Sequence, residues 1–203
     1  MPREDLTLIA CVIDRSGSMG SILDDAVGGF NAFLREQKED KSNECRMTLT
    51  MFNDTYEIKY NNVPIGEVEE FTNATYCPAG STALLDSLGR TINEVGKELD
   101  ALPEEEKPGK VIFVVLTDGQ ENASKEFQLD NVKELIKQQR ETWKWEFVFL
   151  ATDEEGIQGG MNLGITHCSA FCAQNTRAAY DAVSKDLMSY RKTGKTNLPQ
   201  DIS

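Results

Sequence analysis

The sequence predicts an α/β domain, with a doubly wound, mostly parallel central sheet, one antiparallel edge strand and helices on both faces. Three observations carry that expectation. Apolar runs at 6–13, 111–116 and 145–151 are nearly continuous, as suits strands buried on both faces. Segments between them repeat apolar residues at three- and four-residue steps, the spacing of amphipathic helices. One pair of segments, 46–52 and 56–60, alternates apolar and polar residues as a hairpin does.

Each element follows in order. The first strand stops at Asp14, and Arg15-Ser16-Gly17-Ser18-Met19-Gly20 has loop chemistry. Ile22, Leu23, Ala26, Val27, Phe30, Phe33 and Leu34 then share one helical stripe. In the hairpin, Met47, Leu49 and Met51 alternate on one strand and Tyr56, Ile58 and Tyr60 on the other, about a turn at Asn53-Asp54-Thr55. Charged and hydroxylated positions on the second strand mark it as a sheet edge. Polar loops fill 61–66 and 73–81. The clearest helix starts near Thr82, with Leu85, Leu88, Ile92, Val95, Leu99 and Leu102 on one face, and stops at Pro103 and a solvated acidic cluster over 104–106.

A buried strand over 110–117 stops at Asp118-Gly119, and Leu129, Val132, Leu135 and Ile136 mark another helix. The strand over 145–151 ends near Asp153, which suits a helix N-cap, and 154–164 reads as a short helix or a glycine-rich loop. A last strand over 165–170 precedes a final helix. Asn175 or Thr176 caps that helix, Ala179, Tyr180, Val183, Leu187 and Tyr190 face inward, and Gly194 stops it. No linker or repeat divides the chain, so one domain over 1–203 is expected.

Composition excludes several function classes. A chain of 203 residues can bury roughly 70% of its unfolded surface, and 39% apolar residues is too many for a disordered chain. The formal net charge of −13 repels polyanions, so no nucleic-acid partner is expected. The longest strongly apolar run, 111–116, falls far short of the roughly 20 residues that span a bilayer, so no membrane partner is expected either. Met1-Pro2-Arg3-Glu4-Asp5 lacks the features of a signal peptide, and five irregularly spaced cysteines suit a reducing compartment. A cytoplasmic location is the expectation. Trp143 and Trp145 are expected to be packing groups, and His167, Cys168 and Cys172 buried structural residues.

Two core strands end in aspartate, Asp14 and Asp118. Ligands of open α/β sheets bind outside the carboxyl ends of strands, where the strand order reverses. If these strands are neighbours, both carboxylates face one crevice and repel each other unless one protonates or a cation intervenes. Asp14-x-Ser16-x-Ser18 supplies further oxygen at alternate positions, and Gly80-Ser81-Thr82 brings a hydroxyl to a helix start. Hard oxygen ligands with two formal charges suit Mg²⁺, whereas one histidine and dispersed cysteines make no zinc cage.

Together, Asp14-x-Ser16-x-Ser18, the threonine of Gly80-Ser81-Thr82 and Thr117-Asp118-Gly119 resemble the metal-ion-dependent adhesion site (MIDAS) of von Willebrand factor type A (vWA) domains. The resemblance covers nearly the whole chain and falls within compact, stand-alone bacterial members. It implies a vWA, Rossmann-like fold and a metal held at Asp14, Ser16, Ser18, Thr82 and Asp118. Ser16, Ser18 and, in one arrangement, Thr82 would bind the metal directly, while Asp14 and Asp118 would act largely through water. The metal would be Mg²⁺, with Mn²⁺ or Ca²⁺ as substitutes. A protein partner would supply a Glu or Asp carboxylate to the remaining position.

The leading expectation is therefore a non-enzymatic, Mg²⁺-dependent protein-binding module, in a stress-response or assembly setting. Arg15, Met19, Gln120, Glu121 and Asn122 would form its rim and bias partner choice. A Mg²⁺-dependent hydrolase is the first alternative, although no histidine, Ser–His pair or Asp-x-Asp nucleophile accompanies the motif. A scaffold that the metal merely stabilises is the second. Oligomeric state is left open.

Overall fold

The computed structural model describes residues 1–118, 121–170 and 176–194. Among these residues six strands, β1 (Arg3–Asp14), β2 (Glu44–Phe52), β3 (Tyr56–Pro64), β4 (Pro108–Thr117), β5 (Glu146–Ala151) and β6 (His167–Ala170), form one sheet in the order β3-β2-β1-β4-β5-β6. β2 and β3 pair antiparallel, and the other pairs among the described residues are parallel. The described α-helices that connect or follow the strands are α1 (Leu23–Glu39), α2 (Leu84–Ala101), α3 (Leu129–Trp143), α4 (Glu154–Asn162) and α5 (Thr176–Thr193). The predicted element order and the antiparallel edge strand are both present.

Alternation along the central strands divides the core between two faces. Ile9, Cys11 and Ile13 of β1 pack with Phe30, Phe33 and Leu34 of α1 and with Val183, Leu187 and Tyr190 of α5. Leu8, Ala10 and Val12 pack with Leu84, Leu88, Ile92, Val95 and Leu99 of α2 and with Val132 and Ile136 of α3. The strands are buried on both sides, which explains why they read as continuous apolar runs.

This winding positions the site. After β1 the chain moves outward to β2 and β3, then crosses back through α2 to β4 on the other flank of β1. The strand order therefore reverses between β1 and β4, and the crevice above that seam is the place an open sheet offers to a ligand.

One face carries a buried cation. Arg191 of α5 is fully buried and donates to the Gln37 carbonyl at 2.9 Å and to the Asp40 and Asn43 carbonyls at 3.0 Å each. These carbonyls lie at and just beyond the C-terminus of α1, where helical partners run out. Gln37 returns the contact by donating to the Ser184 hydroxyl at 3.0 Å.

Several expectations need correction or narrowing. Trp145 is buried and stacks on Phe113 at 5.4 Å, but Trp143 is 56% exposed and is no packing group. Lys144, in the left-handed conformation at φ 58°, ends α3 between them and turns only Trp145 into the core. Of the segment 154–164, Glu154–Asn162 form helix α4, with Asp153 accepting from the Gly156 N–H at 2.8 Å as its N-cap. His167 is buried as expected, whereas Cys168 is half-buried. Gly194 stops α5 at φ 69°, its N–H bonded to the Tyr190 carbonyl. Cys172, Asn175 and the side chains of Ala179 and Tyr180 lie outside the described residues. Among the described residues, Cys11, Cys45, Cys77 and Cys168 are free thiols, and no helix is long and apolar enough to cross a membrane.

Candidate metal centre

Parallel pairing of β1 with β4 puts Ile13 beside Leu116 and so brings Asp14 next to Thr117. Asp14 is wholly buried. One carboxylate oxygen accepts from the Ser16 N–H at 2.7 Å and the other from the Thr117 hydroxyl at 2.6 Å. Its carbonyl accepts from the Tyr76 hydroxyl. Tyr76 stacks on Phe71, which stacks on Phe30 of α1, and the Asn31 amide grips both the N–H and the carbonyl of Phe71. Asp14 is thus held by its own loop, by β4 and by a stack of rings rooted in α1.

Two further segments are tied to this strand end. Arg15 donates its N–H to Phe52 at the end of β2. The Ala79 N–H bonds to the Arg15 carbonyl at 2.9 Å and the Gly17 N–H to the Gly80 carbonyl at 3.0 Å. Two glycines permit this approach. Gly80 adopts φ 76°, and a Cβ there would fall 2.1 Å from Asp54 Oδ1. A Cβ on Gly17 would sit 3.3 Å from the Gly80 carbonyl. The loop over 79–82 therefore runs beside Ser16 and Ser18 and carries Thr82, which is 2% exposed.

The electrostatics ask for positive charge. Burial pushes the Asp14 carboxyl up to about 6, hydrogen bonds from Thr117 and Ser16 pull against that rise, and the negative charge of Asp118 adds to it. Asp118 follows β4, and among the described residues its Oδ1 is buried with no hydrogen-bond partner. A buried carboxylate oxygen without a donor is costly unless something else satisfies it.

The donor set fits a small divalent cation. Ser16 Oγ and Ser18 Oγ lie 3.1 Å apart. Neighbouring corners of an octahedron with bonds of 2.0–2.1 Å are about 2.8–3.0 Å apart, so the pair lies within about 0.3 Å of the spacing Mg²⁺ needs. Among the described residues no three His, Cys, Asp or Glu side chains gather, so a cation here would rest on two carboxylates and hydroxyls.

The rim differs from expectation. Met19 is fully buried, because residues 17–22 wind into a 3₁₀ turn that drops its side chain into the core. Arg15 is held by Glu57 at 2.9 Å and by the Thr55 hydroxyl at 3.3 Å. Gly119 and Gln120 lie outside the described residues.

Glu121 and Asn122 engage the protein itself. Asn122 Oδ1 accepts from the Thr82 N–H at 2.9 Å, and the N–H groups of Asn122 and Ala123 bond to the Thr82 carbonyl. Glu121 accepts from the Leu85 N–H at 2.9 Å. Sequence reasoning missed Asp86 and Ser124, which belong to the same contact. Asp86 accepts from the N–H groups of Lys125, Glu126 and Phe127. One signal was available: Ala83, at the start of α2, is a poor cap, so its N–H groups needed partners from elsewhere.

Among solved structures, a von Willebrand factor type A protein from Catenulispora acidiphila is 13% identical to the chain, with a TM-score of 0.57 over 91% of this chain and 43% of that one. The chain has a vWA-like fold. The manganese-loaded TRAP protein of Plasmodium vivax matches at 14% identity and a TM-score of 0.62, over 87% of this chain and 72% of that one. The pilus adhesin SpaC of Lactobacillus rhamnosus GG matches at 15% identity and a TM-score of 0.64, over 91% of this chain but only 30% of the adhesin. The chain thus spans well under two thirds of the adhesin and of the Catenulispora protein. The sequence matches no protein-family model and no curated protein. At these identities the vWA-like likeness concerns the fold.

Proposed function

We propose that the chain is a protein-interaction module that docks a partner's Glu or Asp carboxylate on a divalent cation, Mg²⁺ in the first instance. Ser16, Ser18 and Thr82 would hold the cation through hydroxyls, with Asp14 and Asp118 balancing its charge. The observation that carries this reading is the buried Asp118 Oδ1, without a partner among the described residues, beside a buried Asp14 and a serine pair near octahedral spacing. The vWA-like fold and the manganese-loaded state of the Plasmodium protein support a divalent cation as the ligand class.

The chain's own residues would do two things. Thr117 and the Ser16 N–H occupy the Asp14 oxygens, which keeps that carboxylate oriented and ionisable. The cation would supply positive charge to an otherwise acidic surface and so admit an acidic partner.

A docking role is favoured over hydrolysis by the place of the one histidine. His167 lies level with Val148, which lies level with Val114 and Cys11, three residues short of Asp14. It also sits three strands away from β1, roughly 14 Å at the spacing of a sheet.

A pull-down from the native source in Mg²⁺ tests the proposal. Partners should be lost in EDTA and with Asp14→Ala. A partner retained equally under both conditions overturns docking, and stabilisation by Mg²⁺ with no metal-dependent partner leaves the scaffold reading.

A further inference from the structure

Helix α2 has no cap of its own. Ala83 precedes it, and no side chain at that position accepts a hydrogen bond. The N–H groups at its start are instead satisfied by the segment 121–127, which follows Asp118 in the sequence. Glu121 Oε2 accepts from the Leu85 N–H at 2.9 Å, and Ser124 Oγ accepts from the Asp86 N–H at 3.0 Å. Ser124 Oγ in turn donates to Glu121 Oε2 at 2.8 Å, while Glu121 Oε1 accepts from the Ala123 and Ser124 N–H groups. Asp86 reaches back along the helix side to three successive N–H groups of the same segment.

Thr82 sits at the head of this contact. Its N–H is taken by Asn122 Oδ1, and its carbonyl by the Asn122 and Ala123 N–H groups at 3.0 and 3.1 Å. Both polar groups of the Thr82 backbone are therefore bound to the segment that follows Asp118 in the sequence, and its buried side chain has little freedom to shift alone. We propose that segment 121–124 is a clasp that sets Thr82 against Asp118, and that Asn122 and Glu121 are positioning residues for the cation rather than contacts for the partner.

This inference rests on the proposed cation site and adds a distinct claim to it. Asn122 acts through Thr82, and Glu121 acts through the start of α2. A ligand hydroxyl misplaced by about an ångström loses most of its value to a small octahedral ion, whose bond lengths tolerate little error.

A double-mutant cycle with Mn²⁺ alone tests it, because coupling between two residues appears as non-additivity. Mn²⁺ affinity would be read by electron paramagnetic resonance for the wild type, Asn122→Ala, Thr82→Ala and the double variant, with folding checked by circular dichroism. Asn122→Ala should weaken Mn²⁺ about tenfold or more in the wild-type background and less than about twofold in the Thr82→Ala background. Glu121→Gln, which keeps the size of the side chain, should weaken Mn²⁺ in the same direction. Equal weakening in both backgrounds, or none in either, overturns the clasp while leaving the cation site standing. If the wild type binds neither Mn²⁺ nor Mg²⁺, the cation reading falls and the clasp with it.

Discussion

Thr117 donates its hydroxyl to Asp14 Oδ2 across the β1–β4 seam at 2.6 Å, and both residues are wholly buried. The bond joins the last residue of one central strand to the last residue of its neighbour. Thr117→Val keeps the shape and removes the donor, leaving a buried carboxylate oxygen short of a partner. The expected cost is about 1–3 kcal/mol, read as a lower urea midpoint with an unchanged slope.

Gly80 combines a positive φ with a close neighbour. Gly80→Ala should destabilise the protein by about 1 kcal/mol through backbone strain alone. The contact with Asp54 adds to that, but Asp54 is exposed and its side chain can move. Adding Asp54→Ala should therefore recover only part of the loss in a thermal melt, and full recovery would show that φ is not the constraint.

The Asp86 carboxyl gives a dependence on pH. Burial would raise its pKa, but the N–H groups of Lys125, Phe127 and Glu126, with the charge of Arg90, outweigh burial and hold it below the ordinary value. A group depressed in the folded state contributes stability above its unfolded pKa, about 3.9, and loses it as pH falls through the folded one. The stability gap between wild type and Asp86→Asn should be full at neutral pH and shrink below about pH 4. Urea titrations at pH 7 and pH 3 would measure it.

Arg191 predicts a larger effect. Arg191→Met removes the donors that serve the Gln37, Asp40 and Asn43 carbonyls and leaves Asp40 without its buried partner. Breaking a buried, hydrogen-bonded charge costs about 3–5 kcal/mol. Arg191→Lys should rescue little, because an ammonium cannot span three carbonyls as the planar fork does. Chemical unfolding of the two variants checks both statements.

Cation binding should also be visible as stability. A ligand that binds only the native state adds about 2.7 kcal/mol at 100 times its Kd. Mg²⁺ should raise the melting temperature of the wild type and leave Asp118→Ala unmoved, with EDTA-treated protein as the baseline.

Much of the fold was legible because burial on both faces leaves a plain mark, as in 6–13 and 111–116. The strand-end aspartates were legible for the same reason, since each is the first charge after an apolar run. The contact of 121–127 with α2 was not, because carboxylates bound to backbone N–H groups follow no period. Glu121 and Asn122 therefore read as rim residues that bias partner choice, and their bonds to Leu85 and Thr82 went unseen. Met19 was misplaced because a 3₁₀ turn in a Gly-Ser segment gives no apolar stripe to announce it. Trp143 was misplaced because a single left-handed residue, Lys144, decides which of two nearby indoles enters the core.

The seam between β1 and β4 also governs when the site can exist. Asp14 and Thr117 are 103 residues apart in the chain. At usual synthesis rates of 5–20 residues per second, Asp14 emerges roughly 5–20 s before its partner on β4. Until then β1 can pair with β2 but has a bare flank on its other side, and the serine loop faces no second carboxylate. A truncated product ending before β4 would keep Asp14, Ser16 and Ser18 and still have no crevice to place them in. Cation affinity in a nascent chain would therefore report that the longest-range pairing at the centre of the sheet has closed.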